Sequence, residues 1–566
     1  MAGTRLVLIM GGGVSLGTYL AGALTEIFWA LRHTNGDLAA PARRREVRVD
    51  VLAGASAGAM SAAIFARALT ADPGAIGDLR RAWVEEISIR ELLRKGPSGF
   101  HPLALFSPAK IDELAQRLIT PPADTREWQP FCAPTLRIAF TLTNLGGVRY
   151  RIAYANHEDA YFTTRIHSDL IRLELHDPPE PGELDRVWPL IRDAAVASGA
   201  FPTAFPPRSL PRDLEDYRPA TFDPSIASPA PMWYVDGGVL DNEPIGVAKD
   251  LVERDPEHQQ YDYRYILIDP YLDSPLNGLN DRLHEAPASL FAVLGDVAAA
   301  VMGQGTAKDW LRANKTNWRL DAHVEFVTRR LRPLVVAARD AGGDVAQTLA
   351  AGLREQARAI AAFKRGVNRP TPPTEAEIDA YFAANRERIR NDPRYAAALD
   401  GLDGARDAML DAIFIIESAA GLRDKEPMDL YLIAPRGRDE HPLAGDFLRN
   451  FGGFFRQEWR EHDFLCGRRD ARAVLLHDLR ARNGDGTPGE PLFDYPPEDG
   501  VDYDPPPLDI GPGDLTAEER RLFHDYLKGR FEPLVAPHLP WYLRPFRGKI
   551  AGKAARAAMR QLGFPG

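Results

Sequence analysis

A serine and an aspartate, each set among small residues, are the side chains of this sequence best placed to do chemistry. Ser56 sits in Gly54-Ala55-Ser56-Ala57-Gly58, a G-x-S-x-G pentapeptide. Asp236 opens Asp236-Gly237-Gly238, far along the chain. Ahead of both, directly after the first apolar run, stands a glycine-rich loop, Gly11-Gly12-Gly13-Val14-Ser15-Leu16-Gly17. A hydroxyl, a carboxylate and a turn rich in backbone N–H groups are most of what acyl transfer requires: a nucleophile, a base and donors to an oxyanion.

The elements around these residues must position them. Leu6-Val7-Leu8-Ile9-Met10 is a continuous apolar run, as expected of a strand buried on both faces, and residues 18–31 read as a helix with Tyr19, Ala23, Ile27 and Leu31 near one face. N–H groups in such a strand-to-helix turn can hold an anion. The loop alone leaves several readings open. A phosphate-binding loop needs Lys after its last glycine, and Thr18 follows Gly17; a dinucleotide fingerprint would have glycine where Leu16 stands. An oxyanion cradle and a tight turn without chemistry both remain.

Val49-Asp50-Val51-Leu52 reads as a second strand and residues 57–69 as an Ala-rich helix, so Ser56 falls on a strand-to-helix corner. Small residues at 54, 55, 57 and 58 permit the sharp turn that exposes a nucleophilic hydroxyl, and the helix N-terminus favours negative charge beside it. Met232-Trp233-Tyr234-Val235 is a short strand that delivers Asp236 into a Gly-Gly turn, where a backbone can approach closely; Asn242 and Pro244 open the next helix. Alone, that turn is an ordinary Asp-Gly turn. A triad would add a histidine. The chain has 13, none in an evident triad setting, and His441, His462 and His477 lie in charged, helical-looking stretches that read as solvated surface.

Four segments in order resemble the patatin-like phospholipases, lipid acyl hydrolases with a Ser–Asp dyad in place of a triad. They are the glycine loop, the Gly54 to Gly58 pentapeptide, the small-residue run Ala197-Ser198-Gly199-Ala200-Phe201-Pro202-Thr203-Ala204-Phe205-Pro206-Pro207, and Val235-Asp236-Gly237-Gly238-Val239-Leu240-Asp241-Asn242-Glu243-Pro244. The resemblance covers residues 4–270. It implies a three-layer α/β/α fold with a mainly parallel sheet, Ser56 as nucleophile and Asp236 as general base. It further implies backbone oxyanion donors at Gly11, Gly12, Gly13 and Gly17, centred on Gly12 and Gly13, with Gly54, Gly58, Gly237 and Gly238 as supporting turn residues. A dyad without imidazole requires carboxylate and serine to touch, at roughly 2.6–3.2 Å. The sequence departs from the family at the loop: counted back from Gly17, Leu16 takes the usual basic position and Val14 that of a glycine, or else the glycines align and one residue is inserted, and in either register no cation sits in the loop. This form is similar to a bacterial subset of patatin-related proteins with long C-terminal extensions. Two rival readings stand beside it: an α/β-hydrolase-type esterase using a histidine, and a non-catalytic patatin-shaped binding or scaffold protein.

With 566 residues, 45% hydrophobic and 26% charged, the chain is ordinarily globular and long enough for two or more domains. A net charge of −10 argues against a general nucleic-acid partner. Cys132 and Cys466 are too sparse for a disulfide framework or a zinc cluster and read as buried free thiols in a reducing compartment; no metal and no cofactor are expected. Five apolar residues before the glycines are short for a signal-peptide core, and no run approaches the roughly 18–20 apolar residues of a membrane span; residues 290–302 come nearest, interrupted by Asp296. The expectation is a cytoplasmic protein that meets its lipid or ester substrate at a surface.

The organisation expected is a patatin-like acyl hydrolase domain over residues 1–275 and a mostly helical extension over 276–566. Residues 135–142 and 148–154 look like a hairpin around Asn144-Leu145-Gly146-Gly147, and Tyr265-Ile266-Leu267-Ile268-Asp269 like a core strand. Beyond 285 the pattern is helical, with Leu430-Tyr431-Leu432-Ile433-Ala434 as a strand that could join the main sheet. Residues 483–513 read as a long loop whose Asn483-Gly484-Asp485-Gly486 lacks the further ligands of a calcium site. Residues 447–463 carry Phe447, Phe451, Phe454, Phe455 and Trp459 near helical spacing and read as a core-facing helix. The tail, 541–566, holds Arg544, Arg547, Lys549, Lys553, Arg556 and Arg560 and no acid, beside Trp541, Tyr542, Phe546 and Ile550. It reads equally as an interfacial helix for anionic membrane and as a solvated terminal helix docked on the body. Oligomeric state is not legible.

Overall fold

A computed structural model describes residues 3–41, 44–94, 101–122, 125–153, 161–271, 314–366, 372–423, 427–435, 443–446, 450–482, 488–506, 512–535 and 544–561, and the single positions 311, 425 and 508. Two compact units share the chain. The first is built from residues 1–309, 429–479 and 491–566, the second from 310–428 and 480–490.

The first unit is a three-layer α/β/α fold around one eight-stranded sheet. Its strands are β1 (Thr4–Met10), β2 (Val47–Gly54), β3 (Cys132–Ala153), β4 (Tyr161–His176), β5 (Arg208–Arg212), β6 (Ala230–Asp236), β7 (Asp262–Ile268) and β8 (Leu430–Ile433). They lie in the order β5-β6-β3-β2-β1-β7-β8, with β4 pairing on β3. The run β3-β2-β1-β7-β8 is parallel, whereas β4 and β6 pair antiparallel with β3, and β5 with β6. The apolar run at 430–434 does join the sheet, as the strand pairing with β7.

Residues 135–142 and 148–153 are not the two arms of a hairpin, and Tyr154 lies outside the described residues. Both stretches belong to β3, and the partner strand is β4, after a register shift between Thr143 and Val148. Asn144 Oδ1 accepts the N–H groups of Gly146 and Gly147, and Gly147 takes φ 64°, so the Asn-Leu-Gly-Gly run makes a kink within one strand instead of reversing it.

Alternation along the central strands assigns the two faces. Leu6, Leu8, Met10, Val49 and Leu52 share a core with α1 (Gly17–Asn35), α2 (Ala57–Thr70), α3 (Glu183–Ser198) and α5 (Gln457–Ala473). Val7, Ile9, Val51 and Ala53 are buried on the other face, where α4 (Ile245–Glu253) packs over β1, β2 and β3 through Ala248, Leu251 and Val252. The final helices α6 (Ala517–Val535) and α7 (Arg547–Gln561) pack together.

By length and mean hydropathy α1 with its lead-in, Val14–Asn35, is apolar enough to cross a membrane, although Glu26 and Arg32 keep it from being an uncharged apolar run. It is a core helix instead. Its most apolar window is 83% buried, and Glu26 at its centre is fully enclosed by Arg468, Arg472, Tyr495 and Tyr503. The stretch 447–463 is not one helix: Gly452–Phe454 forms a 3-10 turn and α5 starts afresh at Gln457, while Phe447 lies outside the described residues. Residues 290–302, 483–487 and Trp541 and Tyr542 also lie outside them.

The second unit packs helices Arg332–Ala341, Gly343–Gly366, Glu375–Asn391 and Arg406–Ala420 around Val327, Phe382, Ile389, Tyr395, Ile413 and Phe414. Thr374 and Glu377 form a capping box on the third helix, and Arg386 pairs with the buried Asp411.

Candidate active site

Two strands meet end to end at the site. Phe140 of β3 pairs with Ile171 of β4 on one edge and Gly54 of β2 on the other; Leu142 pairs with Asp169 of β4 and Asp236 of β6. A strand residue has one partner per edge, so Gly54 and Asp236 occupy the same edge of β3, two residues apart. Parallel β2 runs toward that point from one direction and antiparallel β6 from the other. Each then turns out of the sheet, β2 into Ser56 and β6 into Gly237.

The two side chains therefore meet. Ser56 Oγ donates to Asp236 Oδ2 at 2.5 Å, and Asp236 Oδ1 accepts the Gly238 N–H at 2.7 Å. Asp236 is 2% exposed, and Ser56 7%. Burial pushes the Asp236 carboxyl up to about 7, against the opposing pull of its hydrogen bonds from Ser56 and Gly238. Ser56 adopts φ 52°, ψ −123°, a conformation that costs a non-glycine residue on the order of 1–3 kcal/mol. Its N–H donates to Ser198 Oγ at 2.9 Å, and the Asp236 N–H donates to the carbonyl of Ala200 at 3.0 Å. The end of α3 thus ties down both backbones. Sequence reading grouped Ser198 and Ala200 in the small-residue run but gave neither a role; only the sheet order brings that run beside both turns.

Glycines are required where backbones touch. A Cβ on Gly237 would lie 2.1 Å from the Thr141 carbonyl, and one on Gly58 2.4 Å from that of Met10. A Cβ on Gly54 would come within 2.7 Å of Ala59 N. Gly12 lies over the serine, its would-be Cβ 3.1 Å from Ser56 Cβ and 2.2 Å from Asn242 Oδ1. The loop amides differ in availability. Gly11 N–H donates to Ile268 O, Gly12 N–H to Asn242 O at 3.3 Å, and Gly17 N–H to the Val14 and Ser15 carbonyls. Gly13 N–H has no partner among the described residues, nor has Ala57 N–H at the start of α2.

Leu16 is fully buried, beside Gly13 and Gly445, so this part of the loop is an apolar packing site. An aromatic group of Phe106, Phe201, Phe205, Phe451 and Phe454 lies next to the run that holds Asp236. No histidine hydrogen-bonds Ser56 or Asp236 among the described residues. His477 is exposed as expected, His441 is outside the described residues, and His462 is buried, with Nδ1 3.2 Å from Asp463. No group of three or more His, Cys, Asp or Glu could hold a metal among the described residues.

Residues 8–249 match the family model for patatin-like phospholipases. They form a patatin-like phospholipase domain. Residues 322–483 match a second model, a protein family of unknown function (DUF3376). Beyond the patatin-like domain's family, the chain is similar to an uncharacterized membrane protein of Mycobacterium tuberculosis, Rv3479, 30% identical over 283 positions, which cover 43% of this chain and 25% of the relative. An uncharacterized protein of Sinorhizobium fredii, y4iI, is 24% identical over 343 positions, 47% of this chain and 49% of the relative. The chain therefore spans less than half the length of either relative. The crystal structure of VipD from Legionella pneumophila aligns over 100% of this chain and 89% of that one at 12% identity, with a TM-score of 0.24, too low to bear on the patatin-like domain.

Proposed function

We propose that this chain is a serine acyl hydrolase that cleaves ester bonds of phospho- or lysoglycerolipids through Ser56 and Asp236. Membership of the patatin-like phospholipase family supports lipid acyl hydrolysis at the level of the family. The observation that carries the finer reading is the 2.5 Å contact between Ser56 Oγ and Asp236 Oδ2.

In this reading the Asp236 carboxylate takes the hydroxyl proton as Ser56 Oγ bonds to the ester carbonyl carbon. The carbonyl electrons become an oxyanion, met by the N–H groups of Gly13 and Ala57 and by the N-terminus of α2. The tetrahedral species collapses to an acyl-Ser56, and the leaving alkoxide takes the proton back from Asp236. Water then adds to the acyl-enzyme with Asp236 again as base, releasing the fatty acid and restoring Ser56. A carboxyl titrating near 7 suits both halves, because it can accept and return a proton at neutral pH.

An anionic membrane is the proposed surface of contact, through α7. Ala551, Ala555 and Met559 are buried against the body, so the helix does not offer its apolar side for insertion; Phe546, Lys549, Lys553 and Arg556 are exposed, with Lys549 Nζ 5.9 Å from the Phe546 ring centroid. Attraction of roughly 1 kcal/mol per basic residue near such a surface favours peripheral contact.

The deciding experiment is hydrolysis of esters and phospholipid vesicles by the wild type, Ser56→Ala and Asp236→Asn. Turnover by the wild type alone, with a fluorophosphonate labelling Ser56, is expected. Near-normal turnover by Asp236→Asn sinks the dyad, and no cleavage with Ser56 unlabelled sinks the enzyme. Unchanged binding of a chain lacking 541–566 to anionic liposomes removes the membrane contact.

A further inference from the structure

The loop that carries Gly13 does not hold its shape alone. Val14 adopts φ 51°, a left-handed conformation that a β-branched residue takes only under constraint. The constraint comes from far along the chain. Ser15 Oγ donates to the Asn450 carbonyl at 2.6 Å and accepts the Gly453 N–H at 3.1 Å, so two backbone groups of the C-terminal region engage one buried hydroxyl. Leu16 closes the same contact: a Cβ on Gly445 would come 2.7 Å from Leu16 Cδ2, and one on Gly453 2.8 Å from Ser15 Oγ.

These partners are themselves fixed by buried residues of α5. Asp463 accepts the N–H groups of Ala444 and Gly445 at 2.7 and 2.8 Å. Arg460 donates to the carbonyls of Gly453 and Phe454 at 3.0 and 3.3 Å and to that of Val84 at 2.9 Å. Hydrogen bonds thus run from α5 through the 450–454 backbone to Ser15 of the loop beside Ser56, and the 443–446 segment, held by Asp463, meets the same loop through packing of Gly445 against Leu16.

We infer that residues 443–446 and 450–454 complete the candidate active site by holding the 11–17 loop in its donating shape, with Ser15 as the positioning residue. The inference rests on the hydrolase reading of Ser56 and Asp236. It also gives Val14 and Leu16 a physical role: in a loop that holds no cation they form a docking face for the chain's own C-terminal segment.

The test uses the full chain carrying Ser15→Ala or Gly453→Ala. The measurements are kcat and KM on a soluble p-nitrophenyl ester, the inhibition constant of a trifluoromethyl ketone that forms an oxyanion on the serine, and the melting temperature. If the loop is held by Ser15, kcat falls at least about tenfold, KM stays within about twofold and the ketone weakens by the same factor as kcat, because only oxyanion binding is lost. A purely structural role would lower the melting temperature and the yield of folded enzyme without weakening the ketone, and that result overturns the inference. So does kcat within about twofold of wild type in a folded variant. Gly453→Ala crowds the same contact from the other side and decides the matter should Ser15→Ala not fold. A wild type that cleaves no ester and leaves Ser56 unlabelled by a fluorophosphonate fails earlier, at the hydrolase reading itself.

Discussion

Gly54 and Asp236 lie two residues apart on a single edge of β3, opposite Phe140 and Leu142. The end of β2 and the end of β6 therefore abut, and the turns that leave them face each other. Where the catalytic reading asks for a serine touching a carboxylate, the sheet supplies the meeting point through its hydrogen-bond register, with the 2.5 Å contact as the outcome.

That register is vulnerable at Gly237. A methyl there would fall 2.1 Å from the Thr141 carbonyl, which is backbone within the central sheet and cannot yield. Gly237→Ala is expected to push the Asp236 turn away from Ser56. A misplacement of about 1 Å can cost on the order of 100-fold in rate, so ester hydrolysis should fall at least that far. The measurement is kcat/KM with circular dichroism as a check on folding; a folded variant with near-normal turnover contradicts the abutting-strand account.

Ser198 gives a second handle on the same geometry. Its Oγ is the acceptor for the N–H of Ser56, a residue already in an unfavourable conformation. Ser198→Ala leaves that buried N–H unsatisfied, which costs about 1–3 kcal/mol. Chemical denaturation should show a loss of that size, and kcat should fall with it because the nucleophile loses its anchor. Stability unchanged within about 0.5 kcal/mol would mean that Ser198 holds nothing.

The two turns were legible in the sequence because Gly54 to Gly58 follows an apolar strand and opens an Ala-rich helix, and because Asp236-Gly237-Gly238 ends another short strand in the same order as the family's segments. Their meeting was not, since it depends on β6 running antiparallel to β3 beyond the end of β2, and strand direction leaves no mark on an apolar run. The same blindness turned Asn144-Leu145-Gly146-Gly147 into a hairpin: side-chain-capped glycines look alike in a reversal and in a kink. His462 read as surface because the charges around it, Asp463, Arg468 and Asp470, are ones that normally face water; here they are buried, Asp463 against His462, Arg468 donating to Glu26 and Asp470 accepting from Tyr19. Leu16 read as a missing cation because its partner, Gly445, is too distant in sequence for local pattern to connect them.

The Asp236 carboxyl, raised to about 7 by burial, makes two pH-dependent forecasts. As the base it must be ionised, so kcat/KM should rise with pH through about 7 and be near a tenth of its plateau at about pH 6. A limb near the ordinary carboxyl value of about 4 contradicts the buried-base assignment.

Stability runs the other way. Below about pH 4 both folded and unfolded chains hold the proton on Asp236; between about 4 and 7 only the folded chain does. The unfolded state then binds fewer protons, so this group's contribution to stability falls as pH rises through that window and levels off above 7. Asn at 236 carries no such charge. Asp236→Asn should therefore gain in melting temperature relative to wild type as pH goes from about 4 to 7.5, with an upper bound of about 4 kcal/mol for a carboxyl moved from 3.8 to about 7. A gap that stays constant with pH would show that the carboxyl ionises freely in the folded protein.

The contact between α1 and α5 tests how firmly the C-terminal region is attached. Gly22 and Gly467 bring the two helices into backbone contact: a Cβ on Gly22 would lie 1.9 Å from Phe464 O, and one on Gly467 2.1 Å from Tyr19 O. In an exposed helix, Gly→Ala stabilises by about 1 kcal/mol. Here the sign should reverse, because the methyl of either alanine meets carbonyl groups of the facing helix and must part the pair. Parting them strains the buried pairing of Arg468 with Glu26 and the 3.1 Å hydrogen bond from Tyr19 to Asp470, none of which can be replaced by water without exposing the core. Gly22→Ala is expected to cost several kcal/mol, in the range of overpacked cores. It should also lower ester turnover in the fraction that remains folded, because α5 carries Asp463 and Arg460, which hold the segment that clasps Ser15. Calorimetry of Gly22→Ala and Gly467→Ala beside an exposed-helix control, Gly352→Ala, separates the two signs; stabilisation at position 22 would mean that the helices are not in contact.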